Sequence, residues 1–334
     1  MTTPYISVDS NKNLQLHIYV LGHYPMGESI LIIVYERIKK KVHKSILIDY
    51  YEKNNINRFK AVFHKYNIDK QKLDIIIWTH PDLDHSAGLK NIIQKYTKES
   101  TYFILPDSLT RDIIKSDRCK REFDYLLKYE KSHRFSIERA GSSTRQCRPV
   151  IYEDIYFHDG ITDPINFNLE ILTPFSNHVF RKTQVLNTYT ANDISLSILI
   201  HFGKLNFYFG GDSENGNINE INDEKLRGLD FIKIPHHGSD SSDNLVSKIG
   251  KYFLPPRYAF SVCTGFTFGR TNLPDSSVLS KYQTISDYIY LTDNSTHINE
   301  YGMWKFVYNI LDQQVYKPEP LGDTDITTCL AAEK

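Results

Sequence analysis

Apolar residues recur in short runs of alternating or continuous pattern, and stretches of helical period separate these runs. The pattern predicts strands and helices in turn from one end of the chain to the other. In the first third it predicts strands over residues 16–21, 29–35, 44–49 and 73–78, with a helix over 56–66 before the last of them. That last strand, LDIIIW, is apolar at every position after Asp74, as a strand covered on both faces should be. Further strands are predicted over 167–172, 194–201, 205–209, 231–234 and 258–262, and helices over 84–96, 217–226, 243–252 and 276–282. No Gly/Ser-rich or Pro-rich linker and no repeat of solenoid length interrupts the series. The expectation is one α/β domain spanning residues 1–334.

Composition narrows this picture only a little. A chain of 334 residues can bury a sizeable core, and 40 Lys+Arg against 40 Asp+Glu give a formal net charge of zero. Global charge therefore gives no argument for a nucleic-acid or membrane partner. Four cysteines, Cys119, Cys147, Cys263 and Cys329, form no CxxC pair and fit a reducing compartment. The N-terminus, MTTPYISVDSNKN, lacks a basic stretch followed by an apolar core, and no window approaches 18 uncharged apolar residues. A soluble cytoplasmic protein with no membrane partner is expected. One segment departs from neutrality: between Arg111 and Arg148 lie eleven basic and six acidic residues. We expect a basic, partly helical insertion over about 107–150. It is either a solvated surface or a positive wall beside a polyanion site.

The chemistry concentrates where predicted strands end. Directly after the apolar strand, THPDLDH places His80, Asp82, Asp84 and His85 within six residues. Four such groups would repel and desolvate one another unless a cation neutralised them. A second strand ends similarly: LDFIKIPHHGSD releases His236 and His237 just past an apolar run, with Ser239 following. Between these two, LNFYFGGD puts Asp212 behind two glycines that allow close backbone approach. In isolation GGD is a common turn and HHGS a structural one, but their order after HxDxDH points to one site at the carboxyl ends of strands.

These segments, with several others, carry a family resemblance. GHYPMGESILI at residues 22–32 and ILIDYY with Asp49 precede the first cluster. NDISLSILIHFGKLNFYFGGD with Asn192, Asp193 and Ser195 follows it, then PHHGSD, AFSVCTGFTFG and YLTDNS. In this order they resemble the metallo-β-lactamase fold superfamily, in particular its competence-type (ComEC-like) branch of hydrolases, and are also similar to the phosphorylcholine esterases of that fold. The resemblance implies a four-layer αββα sandwich with His80 and His237 at the same edge of two facing sheets. It also implies two divalent metal ions, with His80 and Asp82 on the first, Asp84, His85 and His237 on the second, and Asp212 bridging. His236 would then either support the ligands from behind or touch substrate oxygen, and Asp49 would orient ligands from behind. Asn192, Asp193 or a water would complete the first site.

The sequence departs from the family at two places. Asp82 stands where most members have a second histidine, and a third-motif histidine has no counterpart. Near residues 266–269, FGRTNLPDS offers Arg270 and Asn272 in place of a late histidine. Three oxygen and three nitrogen ligands make Mn2+ a rival to Zn2+. The implied reaction is hydrolysis by a metal-bridging hydroxide, with Asp84, Asp212 and His236 as its catalytic residues and His236 or His297 as candidate acid for the leaving group. A phosphodiesterase or nuclease is the favoured reading, its substrate a phosphodiester with nucleic acid among the candidates. The alternatives are a carboxylic ester, lactone or thioester hydrolase, or a metal-binding regulatory subunit with a protein partner in a larger, ATPase- or sensor-controlled assembly.

Overall fold

The computed structural model describes residues 5–8, 13–132, 135–141, 150–157, 164–186, 188–250, 260–268, 270–293, 299–311 and 313–328. Two nine-stranded sheets dominate it. The first runs in the order Gln314–Val315, Tyr301–Asn309, Leu14–His23, Glu28–Glu36, Lys41–Ile48, Ile75–Ile77, Tyr102–Pro106 and Ser136–Ala140, with Glu319–Gly322 also pairing Tyr301–Asn309. The second runs Tyr5–Ser7, Val150–Phe157, Ile165–Ile171, Ile198–Phe202, Leu205–Phe209, Phe231–Lys233, Phe260–Cys263, Tyr288–Leu291 and Asp325–Thr328. In each, an antiparallel stretch gives way to strands that pair in parallel, from Lys41–Ile48 to Ser136–Ala140 in one and from Leu205–Phe209 to Tyr288–Leu291 in the other.

Side-chain alternation explains why the sheets stack. Along Glu28–Glu36, Ile30, Ile32 and Val34 enter one apolar layer while Leu31 and Ile33 enter another. Along Ile198–Phe202, Ile198, Ile200 and Phe202 join Ile30 and Ile32 in the first layer, whereas Leu199 enters a third. The shared layer is therefore the space between the two sheets. The second layer holds Phe63, Ile92 and Phe123 from helices on the outer face of the first sheet. The third holds Leu245, Val246 and Val278 from helices on the outer face of the second. The result is α/β with four layers, αββα, as expected. In LDIIIW, Ile75 and Ile77 face the inter-sheet layer and Ile76 and Trp78 the helices, so the continuous apolar run is the signature of double coverage.

Several elements differ from the sequence reading. The helix expected over 84–96 is two, Leu83–Ser86 and Leu89–Tyr96, broken at Gly88. Gly88 has φ +119°, and a Cβ there would lie 2.7 Å from the Glu52 Cβ. The helix expected over 217–226 is likewise two turns, Asn215–Ile218 and Asp223–Leu226. The Asn222 side chain accepts a bond from Glu224 N and starts the second. The basic segment is not simply an insertion. Its helix Asp117–Lys131 is the crossover to Ser136–Ala140, which pairs in parallel with Tyr102–Pro106 and extends the first sheet. Arg134, Arg145, Arg148 and His297 lie outside the described residues. No helix among the described residues is long and apolar enough to cross a membrane.

Candidate metal centre

The residues of the centre gather at one edge of the sandwich, most of them just past a strand, with Asp84 and His85 on the short helix Leu83–Ser86. Asp49 follows Lys41–Ile48, His80 follows Ile75–Ile77, Asp212 follows Leu205–Phe209, and His236 and His237 follow Phe231–Lys233. The turns that carry Asp212 and His237 brace each other. His236 N donates to Gly211 O at 2.9 Å, and a Cβ on Gly210 would meet the Pro235 Cβ at 2.5 Å. Asp49, His236 and His237 all have left-handed backbones, with φ of 53°, 47° and 51°, uncommon for residues with a Cβ. The Ser195 hydroxyl accepts Asp212 N at 2.8 Å and fixes the start of that turn.

The edge brings six predicted residues together. His85 Nε2 lies 3.5 Å from Asp84 Oδ2, 3.4 Å from Asp212 Oδ1 and 3.4 Å from His237 Nε2. His237 Nε2 lies 3.1 Å from Asp84 Oδ2 and 3.7 Å from Asp212 Oδ2. On the other side of Asp212, His80 Nε2 is 3.6 Å from its Oδ2 and 3.7 Å from Asp82 Oδ2. One carboxylate thus faces two groups of donors.

What stands behind the imidazoles fixes their proton positions. The Thr79 hydroxyl donates to Asp49 Oδ2 at 2.6 Å, so His80 Nδ1–H donates to that hydroxyl at 2.9 Å. His85 Nδ1–H donates to Asp49 Oδ2 at 2.8 Å. The Thr264 hydroxyl donates to Glu28 Oε2 at 2.5 Å, leaving its lone pair for His237 Nδ1–H at 2.9 Å. Glu28 is held in turn by Lys233 Nζ at 2.6 Å, a fully buried ion pair whose lysine also donates to Ile234 O. All three rings therefore turn Nε2 toward the cluster.

This donor set suits divalent cations. Two Nε2 atoms face each other across 3.4 Å, and His80 Nε2 and Asp212 Oδ1 are buried without a hydrogen-bond partner among the described residues. Such groups are costly unless something positive lies between them. Ligands about 2.0–2.1 Å from a tetrahedral ion sit about 3.3 Å apart, and the distances among Asp84, His85, Asp212 and His237 scatter around that value. Asp49, His80 and His85 also approach one another closely, but the Thr79 hydroxyl bonds Asp49 and His80, and Asp49 bonds His85 Nδ1, so these atoms are already satisfied.

The local field agrees. Burial alone would lower the His85 and His237 pKa values, yet the carboxylates of Asp212 and Asp84 outweigh it and raise both. Burial lowers His80 to about 4, with His85 adding to the effect. Burial and then the Asp84 and Asp212 carboxylates push Asp82 up to about 6. A dication would displace the imidazole protons and relieve the carboxylate repulsion.

Other predicted residues lie around this centre or away from it. Asn192 Nδ2 donates to Glu214 Oε1 at 3.1 Å and lies 3.4 Å from His236 Nε2, while Asn192 Oδ1 is buried without a partner among the described residues. His236 Nδ1 meets the Ser241 hydroxyl at 2.8 Å. Asp193 is not brought to the cluster. Its carboxylate accepts from His178 Nε2 and from the Thr190 amide and hydroxyl. Ser239 caps the turn Asp240–Ser242 by accepting Ser241 N. Sequence reasoning missed Thr79, Thr264, Glu28 and Lys233. The available signal was a single charge of each sign, in GESILIIV and in FIKI, inside strands otherwise apolar on both faces.

Comparison with known proteins adds structural likeness only. The chain is similar to the metallo-β-lactamase fold protein YhfI from Bacillus subtilis, at 12% identity and a TM-score of 0.38 over 82% of this chain and 93% of that one. It is similar to Zn2+-bound PqqB from Methylobacterium extorquens, at 10% identity and 0.36 over 70% and 77%. It is also similar to the FEZ-1 metallo-β-lactamase from Legionella gormanii, at 16% identity and 0.30 over 75% of each chain. No family model and no curated protein matches the chain. At such TM-scores the likeness decides nothing alone. The αββα layers and the strand-end His/Asp cluster of this chain are themselves what the sequence resemblance implied.

Proposed function

We propose that this chain is a hydrolase dependent on two divalent cations, Zn2+ or Mn2+, and that it cleaves phosphodiesters. The observation that carries the reading is the buried convergence of three Nε2 atoms and the Asp84 and Asp212 carboxylates, with His80 Nε2 and Asp212 Oδ1 left without a hydrogen-bond partner among the described residues. His80, Asp82 and Asp212 would hold one cation, and Asp84, His85, His237 and Asp212 the other. Bound there, the cations would make water nucleophilic at neutral pH and neutralise charge developing on the reacting oxygens.

The chain's own residues supply the rest. Asp49, through Thr79 and directly, keeps the protons of His80 and His85 on Nδ1, and Glu28 does the same for His237 through Thr264. His236, anchored at Nδ1 by Ser241 and lying beside Asn192, is placed to touch substrate oxygen and pass a proton to a leaving group. The phosphodiester preference draws on the basic segment. Helix Asp117–Lys131, which carries Arg118, Lys120 and Arg121, packs on the short helix Leu83–Ser86 that holds Asp84 and His85, and the charge of Lys115 reaches Asp82.

A panel of bis-p-nitrophenyl phosphate, single- and double-stranded DNA, RNA, cyclic nucleotides and a simple ester, each with Zn2+ and with Mn2+, tests this. Metal-dependent cleavage of at least one phosphodiester is expected. Cleavage of the ester alone would replace the substrate class, and no cleavage with either metal would remove the hydrolase reading.

A further inference from the structure

A cleft of about 570 Å³ opens where the loop at Asn54 and Asn55, the start of helix Leu89–Tyr96 and the face of helix Asp117–Lys131 meet. No residue of the metal cluster lines it. Three cations do: Lys90, Arg118 and Arg121. The single carboxylate in the wall, Glu122, is already committed, since its two oxygens accept the backbone N–H groups of Gly88 and Lys90. Arg118 spends one N–H on the Glu52 carbonyl at 3.4 Å, and Arg121 forms no ion pair among the described residues. Asn54 and Asn55, both left-handed with φ of 54° and 59°, face the cations with neutral amides. A volume within the range of small-ligand pockets, a positive balance and amide walls suit a phosphate with a polar residue attached, and offer little to an apolar ligand.

The cleft also adjoins the metal centre. Gly88 in its wall lies three residues past His85, and helix Asp117–Lys131 packs on the short helix Leu83–Ser86 that carries Asp84 and His85.

We propose that this cleft is a second binding site, which holds a phosphate of a nucleic-acid strand while another phosphate of that strand lies at the metals. The inference rests on the phosphodiesterase reading for its second half only. It makes the substrate a strand with repeated phosphates rather than an isolated phosphodiester. A lone phosphodiester engages the metals but leaves the arginines empty.

Equilibrium binding separates the cleft from catalysis. A fluorescent octathymidylate is titrated with the full chain in the presence of a chelator, so that no strand is cut, at several salt concentrations. The wild type is expected to bind, and the Arg118→Gln/Arg121→Gln variant to bind at least about tenfold more weakly. Its log–log salt slope should be shallower by about 0.7, since the cleft holds one phosphate and each single-strand phosphate contact contributes about 0.7. Lys128→Gln/Lys131→Gln removes the same charge from an exposed stretch of the same helix outside the cleft and should leave the affinity within about twofold. Equal weakening by both double variants would mean diffuse attraction and would overturn the site, as would unchanged binding or no binding by the wild type. Full displacement of the strand by inorganic phosphate at constant ionic strength would show a lone-phosphate site and overturn the strand. A protein that binds as expected yet cleaves no phosphodiester would retire the proposed reaction and leave the cleft standing.

Discussion

Three imidazoles with their Nδ1 protons tied back and their Nε2 atoms aimed inward define what each residue must do. Asp212 faces both donor groups, so it is the residue whose loss should unmake both. In a folded Asp212→Ala variant, phosphodiester hydrolysis should fall at least about a hundredfold, equivalent to about 2.7 kcal/mol of transition-state stabilisation. Steady-state rates with bis-p-nitrophenyl phosphate measure this, and an unchanged rate would place the chemistry elsewhere. The paired histidines should behave differently from each other. His237→Ala should lose bound metal, because its Nε2 lies among Asp84, His85 and Asp212, whereas His236→Ala should keep metal and lose turnover. Metal analysis of the two proteins decides it, and metal loss only in His236→Ala would reverse the roles. The clustered ligands were legible in the sequence because like-minded residues crowd within six positions. Thr79, Thr264, Glu28 and Lys233 were not, since each is one ordinary residue until the fold sets it behind an imidazole.

Strands were the most legible elements, and for a physical reason. Alternation along Glu28–Glu36 and the unbroken apolar run to Trp78 each follow from which faces are covered, so the pattern states the layer. Short helices were less legible. A single glycine, Gly88, splits one amphipathic run because Glu52 and Tyr50 leave no room for a Cβ. The excess charge of the basic segment likewise concealed a strand, Ser136–Ala140, that only its pairing with Tyr102–Pro106 defines. At this scale the two turns that carry Asp212 and His237 act as one unit, joined by the bond from His236 N to Gly211 O and by the contact of Gly210 with Pro235. Gly210→Ala should therefore cost about 1–3 kcal/mol through overpacking. It should also lower activity beyond the fraction unfolded, because Pro235 carries the displacement to His236 and His237. Denaturant titration and rate measurement on the same sample test this; an unchanged midpoint with full activity would show that the turns move independently.

For the whole molecule, the sandwich holds its site at one edge while the rest of the sheets set its response to pH. Burial lowers His17 and His23 to about 3, with Lys305 and Lys65 adding to the effect on one and Arg58 and Lys53 on the other. A histidine of folded pKa near 3 and unfolded pKa near 6.5 takes up protons more readily when unfolded. Its contribution is complete above the unfolded value and is lost as pH falls toward the folded one. Each should cost about 2 kcal/mol of stability on going from pH 7 to pH 5. His17→Gln should flatten the pH dependence of unfolding free energy by about that amount, and parallel curves for variant and wild type would refute the assignment. The central claim is that two cations held about Asp212 perform the hydrolysis. The most direct measurement is the rate of bis-p-nitrophenyl phosphate hydrolysis as metal-stripped protein is titrated with Zn2+ or Mn2+. No turnover is expected without metal, and the rate should rise until two equivalents per chain are bound. Turnover in the stripped protein, or none at any metal concentration, would contradict that claim.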